Sequence, residues 1–388
     1  MRKLNKLELL GFIIAFAVLF SVIGITFLEY INSNGIDNES NTYIDESKNK
    51  IAVVVKKDGI YDTSKIREEL SSFLDSIKSD LDIDNIGVCR ADVDSLDDLD
   101  QIVENLYYED DVGYIILVGR NLAWEGDGWK ELQSDIQSAF WHVNDELCYL
   151  EEREPDEQGK PLGSSEIRNI AISWIMAPDI CFNDKSSDEI NDMKKEIVSS
   201  VISTYTSYHN NPRETLNQFN QSCLYIYMSD ALITFYNREF DNRYQFNWIL
   251  VINTQYDKVW EEMQKKHLIL DYFVHGTSRT LMINQSESEA FTTVEDYANF
   301  IEENGIPALF VNAGACESKV FQYDCPITKS GIYYCWPQVN ICNGVWAYYS
   351  MLSPACKALS TTSPFIGHVL RHYQTQTIVF GDITAHMI

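Results

Sequence analysis

The chain has 388 residues, of which 45% are hydrophobic and 12% aromatic, enough apolar material for one large domain or two smaller ones. It carries 58 acidic against 30 basic residues, a formal net charge of −28. Such a surface repels phosphate backbones, which argues against nucleic acid as a partner.

Residues 9–28 run without a charge and would span about 30 Å as a helix, enough to cross a bilayer. Arg2, Lys3 and Lys6 precede this run and Glu29 follows it. By the positive-inside rule, residues 1–8 stay in the cytoplasm and the rest is exported. The rival reading is a cleaved signal peptide. Such signals have shorter apolar cores and an A-x-A cleavage site that is missing here, so an uncleaved transmembrane anchor is expected. The expected location is a cell membrane, crossed once, with the folded part outside. Residues 29–50 are rich in Asn, Ser, Asp and Glu and read as a polar tether.

Folded sequence begins at Ile51-Ala-Val-Val-Val, a short apolar run typical of a strand buried on both faces. Helical spacing follows over 63–81 at Ile66, Leu70, Leu74 and Ile77, with Asp62 or Thr63 as cap. A second helix is predicted over 95–107 and a second buried strand over 114–119. Residues 124–165 read as an irregular, elaborated surface region. A strand over 170–175 precedes a long amphipathic helix over 188–205, apolar at Ile190, Met193, Ile197, Val201 and Tyr205. The alternation resumes with a strand at 246–252, a helix at 256–266, a strand at 268–274 and a helix at 294–303. Strands at 308–312 and 377–380 complete it. This β-α alternation predicts an α/β fold with a mainly parallel sheet flanked by helices, as two subdomains over 51–210 and 211–388.

Two of these strands run into reactive residues. The first, Leu268-Ile-Leu-Asp-Tyr-Phe-Val, leads into His275-Gly276, and the second, beginning at Pro307, leads through Ala313, Gly314 and Ala315 into Cys316. Sites in open α/β sheets form where loops leave the carboxyl ends of strands. Two neighbouring parallel strands, joined by the intervening helix, would place His275 beside Cys316. An imidazole raises the thiolate fraction of a nearby cysteine and later protonates the leaving amine. Gly276 lets the backbone pass close to substrate, so its N–H and that of Cys316 are the expected oxyanion donors. Taken singly, a histidine at a strand end is more often structural and a cysteine more often a buried hydrophobe; their joint placement points to catalysis.

This pattern of hydrophobic block, His-Gly, spacer, hydrophobic block and Ala-Cys resembles the clan CD cysteine peptidases, and within them the gingipain family. Phe380-Gly381-Asp382 is similar to the Gly-Asp-Pro segment closing many gingipain-like catalytic domains. Residues 188–212, a helix ending in Tyr-His-Asn-Asn-Pro, resemble the helix before the catalytic half, and 114–119 resemble an early Val-Gly strand end. The resemblance implies a caspase-like fold over 51–388 and a thioester acyl-enzyme formed by a Cys316–His275 dyad. The expected partner is a peptide or protein substrate. The resemblance also implies a basic residue before the cut, and calcium as a compatible ion without a readable ligand set; no cofactor is required. The sequence departs from the family at Arg120, at Ile172-Ser-Trp-Ile, at Ile383 after Gly381-Asp382, and at Glu317-Ser318-Lys319 after the cysteine. Transpeptidation through the same dyad and a surface binding protein without catalysis are the two alternative functions.

Other signals are weaker. His368 and His372 are four apart on a predicted helix over 366–373, but lack the Glu of a metalloprotease motif, and no metal site is expected there. Asp271, four residues before His275, is not assigned as a third catalytic member. Nine cysteines in an exported chain predict some disulfides or buried thiols, with no zinc spacing among Cys325, Cys335, Cys342 and Cys356. Asn38, Asn220 and Asn284 begin glycosylation triplets. Trp124, Trp129 and Trp141 read as packing residues. The tether and residues 151–160 are the exposed stretches where an activating cut would fall.

Overall fold

A computed structural model describes residues 45–93, 96–119, 148–152, 164–180, 185–227, 245–250, 256–277, 280–282, 290–314, 332–333, 336–350, 364–372 and 378–387. The chain divides into two compact units, 1–43 with 151–165 and 44–150 with 166–388; the second holds nearly all of the described residues. The anchor expected at 9–28 lies outside the described residues, and among those described no helix is long and apolar enough to cross a membrane.

The first half of the chain supplies β1 (Lys50–Lys56), α1 (Ser64–Leu81), β2 (Asn85–Ala91), α2 (Leu96–Asp110), β3 (Val112–Val118), β4 (Cys148–Glu152), β5 (Ser164–Arg168), β6 (Ala171–Ile175), β7 (Asp179–Ile180) and α3 (Ser187–Asn210). The second half adds α4 (Pro212–Asn217), β8 (Asn220–Tyr227), β9 (Gln245–Leu250), α5 (Tyr256–Met263), β10 (His267–Phe273), β11 (His275–Gly276), β12 (Thr280–Met282) and β13 (Ala290–Thr293). After these come α6 (Val294–Asn304), β14 (Ala308–Ala313), β15 (Ile332–Tyr333), α7 (Trp336–Ile341), β16 (Ala347–Ser350), α8 (Ile366–His372) and β17 (Ile378–Gly381).

Ten strands form one sheet in the order β2-β1-β3-β6-β17-β16-β14-β10-β8-β9. Every neighbouring pair is parallel except β16 and β17. Two parallel five-stranded halves thus meet at one antiparallel seam, and the mainly parallel α/β fold expected from the sequence is present. The last strand, β17, crosses back to pair with β6 of the half built by the N-terminal strands. Ser173, within the Ile-Ser-Trp-Ile departure, anchors that return by donating its hydroxyl to the Gly381 carbonyl at 2.9 Å.

The helices start where their sequence says. Thr63 caps α1, its hydroxyl accepting from the Ile66 N–H at 3.2 Å. Ser186 and Glu189 form a reciprocal capping box at the start of α3. The apolar stripe of α1 (Ile66, Leu70, Phe73, Leu74, Ile77) is buried, and α3 contributes Val198, Val201, Ile202 and Tyr205 to the same core. Burying each such side chain contributes about 1.5–3 kcal/mol. The amphipathic pattern of α3 runs on past the predicted end at 205, because Tyr208 and His209 still face protein.

Beyond β1, the Asp62 side chain is 1% exposed and paired with Arg67 and Arg90. Hydrogen bonding from Arg90 dominates over the opposing effect of burial, and the Asp58 N–H and Arg67 add to it, so the carboxyl is held well below the usual carboxylate range. A depressed folded pKa contributes stability above the unfolded value of about 3.9 that is lost as pH falls. The gap in urea midpoint between wild type and Asp62→Asn is therefore expected to be full at pH 6 and to close below about pH 4. A gap unchanged down to pH 2 would contradict this assignment.

Three described cysteines, Cys89, Cys223 and Cys342, form no disulfide. Burial pushes the Cys342 thiol far up, and its Sγ lies 3.3 Å from the Met176 carbonyl. Cys223 is buried, as expected of a core thiol, while Cys89 and Cys342 are half-buried.

Candidate active site

β10 and β14 are adjacent and parallel, in register from His267↔Ala308 to Tyr272↔Ala313. Just past their carboxyl ends, the Gly314 N–H donates to the Tyr272 carbonyl at 2.7 Å, so the two chains leave the sheet side by side. Pairing of this kind needs a long crossover. It is supplied by β11, β12, β13 and α6 in succession.

His275 opens β11 two residues after β10 ends. It pairs with Met282, and Gly276 with Leu281, in a three-stranded antiparallel sheet β11-β12-β13 at this edge. Gly276 is buried. The His275 side chain and Cys316 lie outside the description; Cys316 follows Gly314 by two positions. The sequence expectation of neighbouring strands therefore holds at the backbone, while the dyad's side-chain geometry and the two oxyanion N–H groups are taken up as a proposal below.

Beneath the edge, Asp271, left without a role in the sequence reading, joins three side chains that reading missed in a polar row. Register puts Tyr225, Asp271, Asn312 and Tyr349 opposite one another across β8, β10, β14 and β16, all buried. The hydroxyls of Tyr272, one residue further along β10, and Tyr348, one residue back on β16, hydrogen-bond at 2.8 Å. α7 roofs the connection. Its Trp336 is 1% exposed, donates Nε1–H to the Thr277 carbonyl at 3.3 Å and packs on Tyr297 at 5.6 Å between centroids. Alternation within β10 and β14 signals which residues share a face, but nothing local says that β8 and β16 flank the pair.

The buried histidines among the described residues, His209, His267 and His386, have structural partners. His267, at the amino end of β10, contacts the Ser222 hydroxyl through Nδ1 at 2.7 Å and the Glu262 carbonyl through Nε2 at 2.9 Å. Burial holds its pKa below the usual histidine value. His209 and His386 belong to a buried cluster at the other end of the sheet. The Asn220 amide donates to the Lys265 carbonyl, so that triplet's asparagine already has a structural partner.

With a parallel sheet, an antiparallel seam and a site edge at the ends of β10 and β14, the chain has the gingipain-like, caspase-like α/β fold. It is similar over 89% of its length, and 79% of the other chain, to the crystal structure of the Arg-specific cysteine proteinase gingipain R (RGPB), with a TM-score of 0.54 and 12% identity. It is likewise similar to the complex of Porphyromonas gingivalis RgpB pro- and mature domains, with a TM-score of 0.51, 13% identity and coverage of 86% and 79%. No protein-family model matches the chain, and no curated protein matches it in sequence.

Proposed function

We propose that this chain is a membrane-anchored extracellular cysteine endopeptidase of gingipain type. Cys316 attacks the peptide carbonyl as a thiolate, and His275 removes the thiol proton and returns it to the leaving amine. The resulting thioester acyl-enzyme is then released by water. The N–H groups of Gly276 and Cys316 receive the developing oxyanion. The reaction needs no cofactor, and its partners are peptide or protein substrates and the membrane that holds residues 9–28.

The observation that supports this most is the parallel β10–β14 pair with its Gly314-to-Tyr272 hydrogen bond, after which His275 and Cys316 each follow within three residues. The test is intact-mass labelling of the purified chain with a set of peptidyl acyloxymethyl ketones. One adduct on Cys316, lost in Cys316→Ala and slowed in His275→Ala, is expected. Labelling indifferent to both substitutions, or none on a folded chain, would favour a surface binding protein.

A further inference from the structure

β17 runs antiparallel to β16, so its carboxyl end lies at the edge of the sheet opposite the carboxyl ends of β10 and β14. There α1, α3 and the C-terminal residues bring Asp80, His209 and His386 together. His209 Nδ1 lies 2.7 Å and His386 Nε2 3.4 Å from Asp80 Oδ2, and the three ligand atoms all fall within 4.8 Å of one another.

The far nitrogen of each ring is already engaged. His209 Nε2 meets Asp382 Oδ2 at 2.7 Å, and His386 Nδ1 meets the Thr384 carbonyl at 3.3 Å. Asp382 is held in turn by Trp346 Nε1–H at 2.7 Å and by the Thr384 N–H at 2.8 Å. A carboxylate or carbonyl on the far nitrogen is the device that fixes the tautomer of metal-bound histidines. Here it leaves His209 Nδ1 and His386 Nε2 turned toward the Asp80 carboxylate.

His386 adds a second argument. It is 2% exposed. If neutral with its proton on Nδ1, its Nε2 lone pair faces a carboxylate oxygen; with the proton on Nε2, its Nδ1 lone pair faces a carbonyl oxygen. Either tautomer sets one pair of acceptors against each other. A cation between His386 and Asp80 removes that conflict.

We infer that Asp80, His209 and His386 form a structural site for a divalent transition-metal ion, with zinc the best fit. Two imidazoles and one carboxylate are zinc donors, whereas calcium requires six to eight oxygens. Around a tetrahedral zinc with bonds of about 2.0–2.1 Å, ligand atoms stand about 3.3 Å apart. The Asp80–His386 separation fits as it stands, and the Asp80–His209 pair would open by about 0.6 Å as the metal displaces the proton between them. Asp80 lies in the last turn of α1 with its side chain 9% exposed, the most open of the three ligands. The site would tie α1, α3 and the C-terminus together, and it stands independently of the proposed peptidase chemistry.

The test uses the full chain freed of metal by a chelator and titrated with cobalt(II). One equivalent is expected to give the visible ligand-field absorption of a low-coordinate nitrogen–oxygen site without a thiolate band. Zinc is expected to raise the melting temperature. Asp80→Asn and His386→Ala should each weaken binding at least about tenfold, and Cys316→Ala should leave it unchanged. A folded wild-type chain that gives no such band would overturn the inference in favour of a protonated His209 clamped between two carboxylates. So would a band that survives Asp80→Asn. Because Asp80 sits at a helix end, that variant carries the test should His386→Ala fail to fold.

Discussion

His275→Ala is expected to slow turnover of a peptide amide by about 10²–10⁴-fold, the range for losing a positioned general acid–base. Cys316→Ala is expected to remove turnover altogether, because no thioester can form. The two losses differ in how they depend on the leaving group. An amine must be protonated to depart, whereas an activated phenol leaves as its anion. An activated ester of the same peptide should therefore lose much less rate in His275→Ala than the amide does, with Cys316→Ala inert toward both. Equal losses on ester and amide would mean that His275 does not protonate the leaving group, and the dyad would have to be abandoned. Adding an amine acceptor to the same assay separates hydrolysis from transpeptidation, since both pass through one acyl-enzyme.

Asp382→Asn is expected to cost about 3–5 kcal/mol of stability, the range for breaking a buried ion pair from one side. Asp382 is fully buried and accepts from Trp346 Nε1–H, the Thr384 N–H and the Thr384 hydroxyl while it holds His209. Burial by itself works against charge on both partners. The neighbouring Asp382 and Asp80 nevertheless raise His209 to about 9, and His209 keeps Asp382 below the usual carboxylate range. In the metal-free chain, asparagine keeps the shape but turns a neutral amide toward His209, leaving an imidazolium short of one counter-charge. Trp346→Phe removes a single donor and is expected to cost about 1.5–3 kcal/mol. Urea unfolding of the three proteins checks the order. An Asp382→Asn midpoint no lower than that of Trp346→Phe would show that the pair is not what holds the C-terminus to α3.

Gly381 shows why that corner admits little variation. Its φ is +96°, and a Cβ there would lie 2.7 Å from the Trp346 carbonyl and 2.8 Å from the Tyr205 hydroxyl. The glycine and the aspartate noted in the sequence as a likeness thus have separate physical reasons: close approach of two backbones, and a buried charge. Ile383, which stands where the family has proline, is fully buried.

The sequence by itself determined the elements whose signal is local. Strands buried on both faces (β1, β3, β10, β14) read as apolar runs, α1 read from its cap and 3.6-residue spacing, α3 from its spacing, and α6 was expected over 294–303. The placement of His275 and Cys316 after neighbouring strands was legible as well, since a strand–helix–strand run predicts a parallel pair. Elements with weak local signals were not. β2, Asn-Ile-Gly-Val-Cys-Arg-Ala, lies at the sheet edge, is mostly half-buried and contains Gly87 at φ +90°. β8 begins with Asn, Gln and Ser and becomes a strand because β9 and β10 flank it, and β16 is only four residues long.

Tertiary structure alone decided the seam and the far cluster. That β17 inserts between β6 and β16, parallel to the first and antiparallel to the second, depends on pairing with strands more than two hundred and about thirty positions away. His209 and Asp382 are 173 positions apart and meet only when α3 and the C-terminus pack on the same core. Hydrophobic periodicity specifies which face of an element turns inward, whereas the partners of a buried charge are set by which elements the finished fold brings to that face.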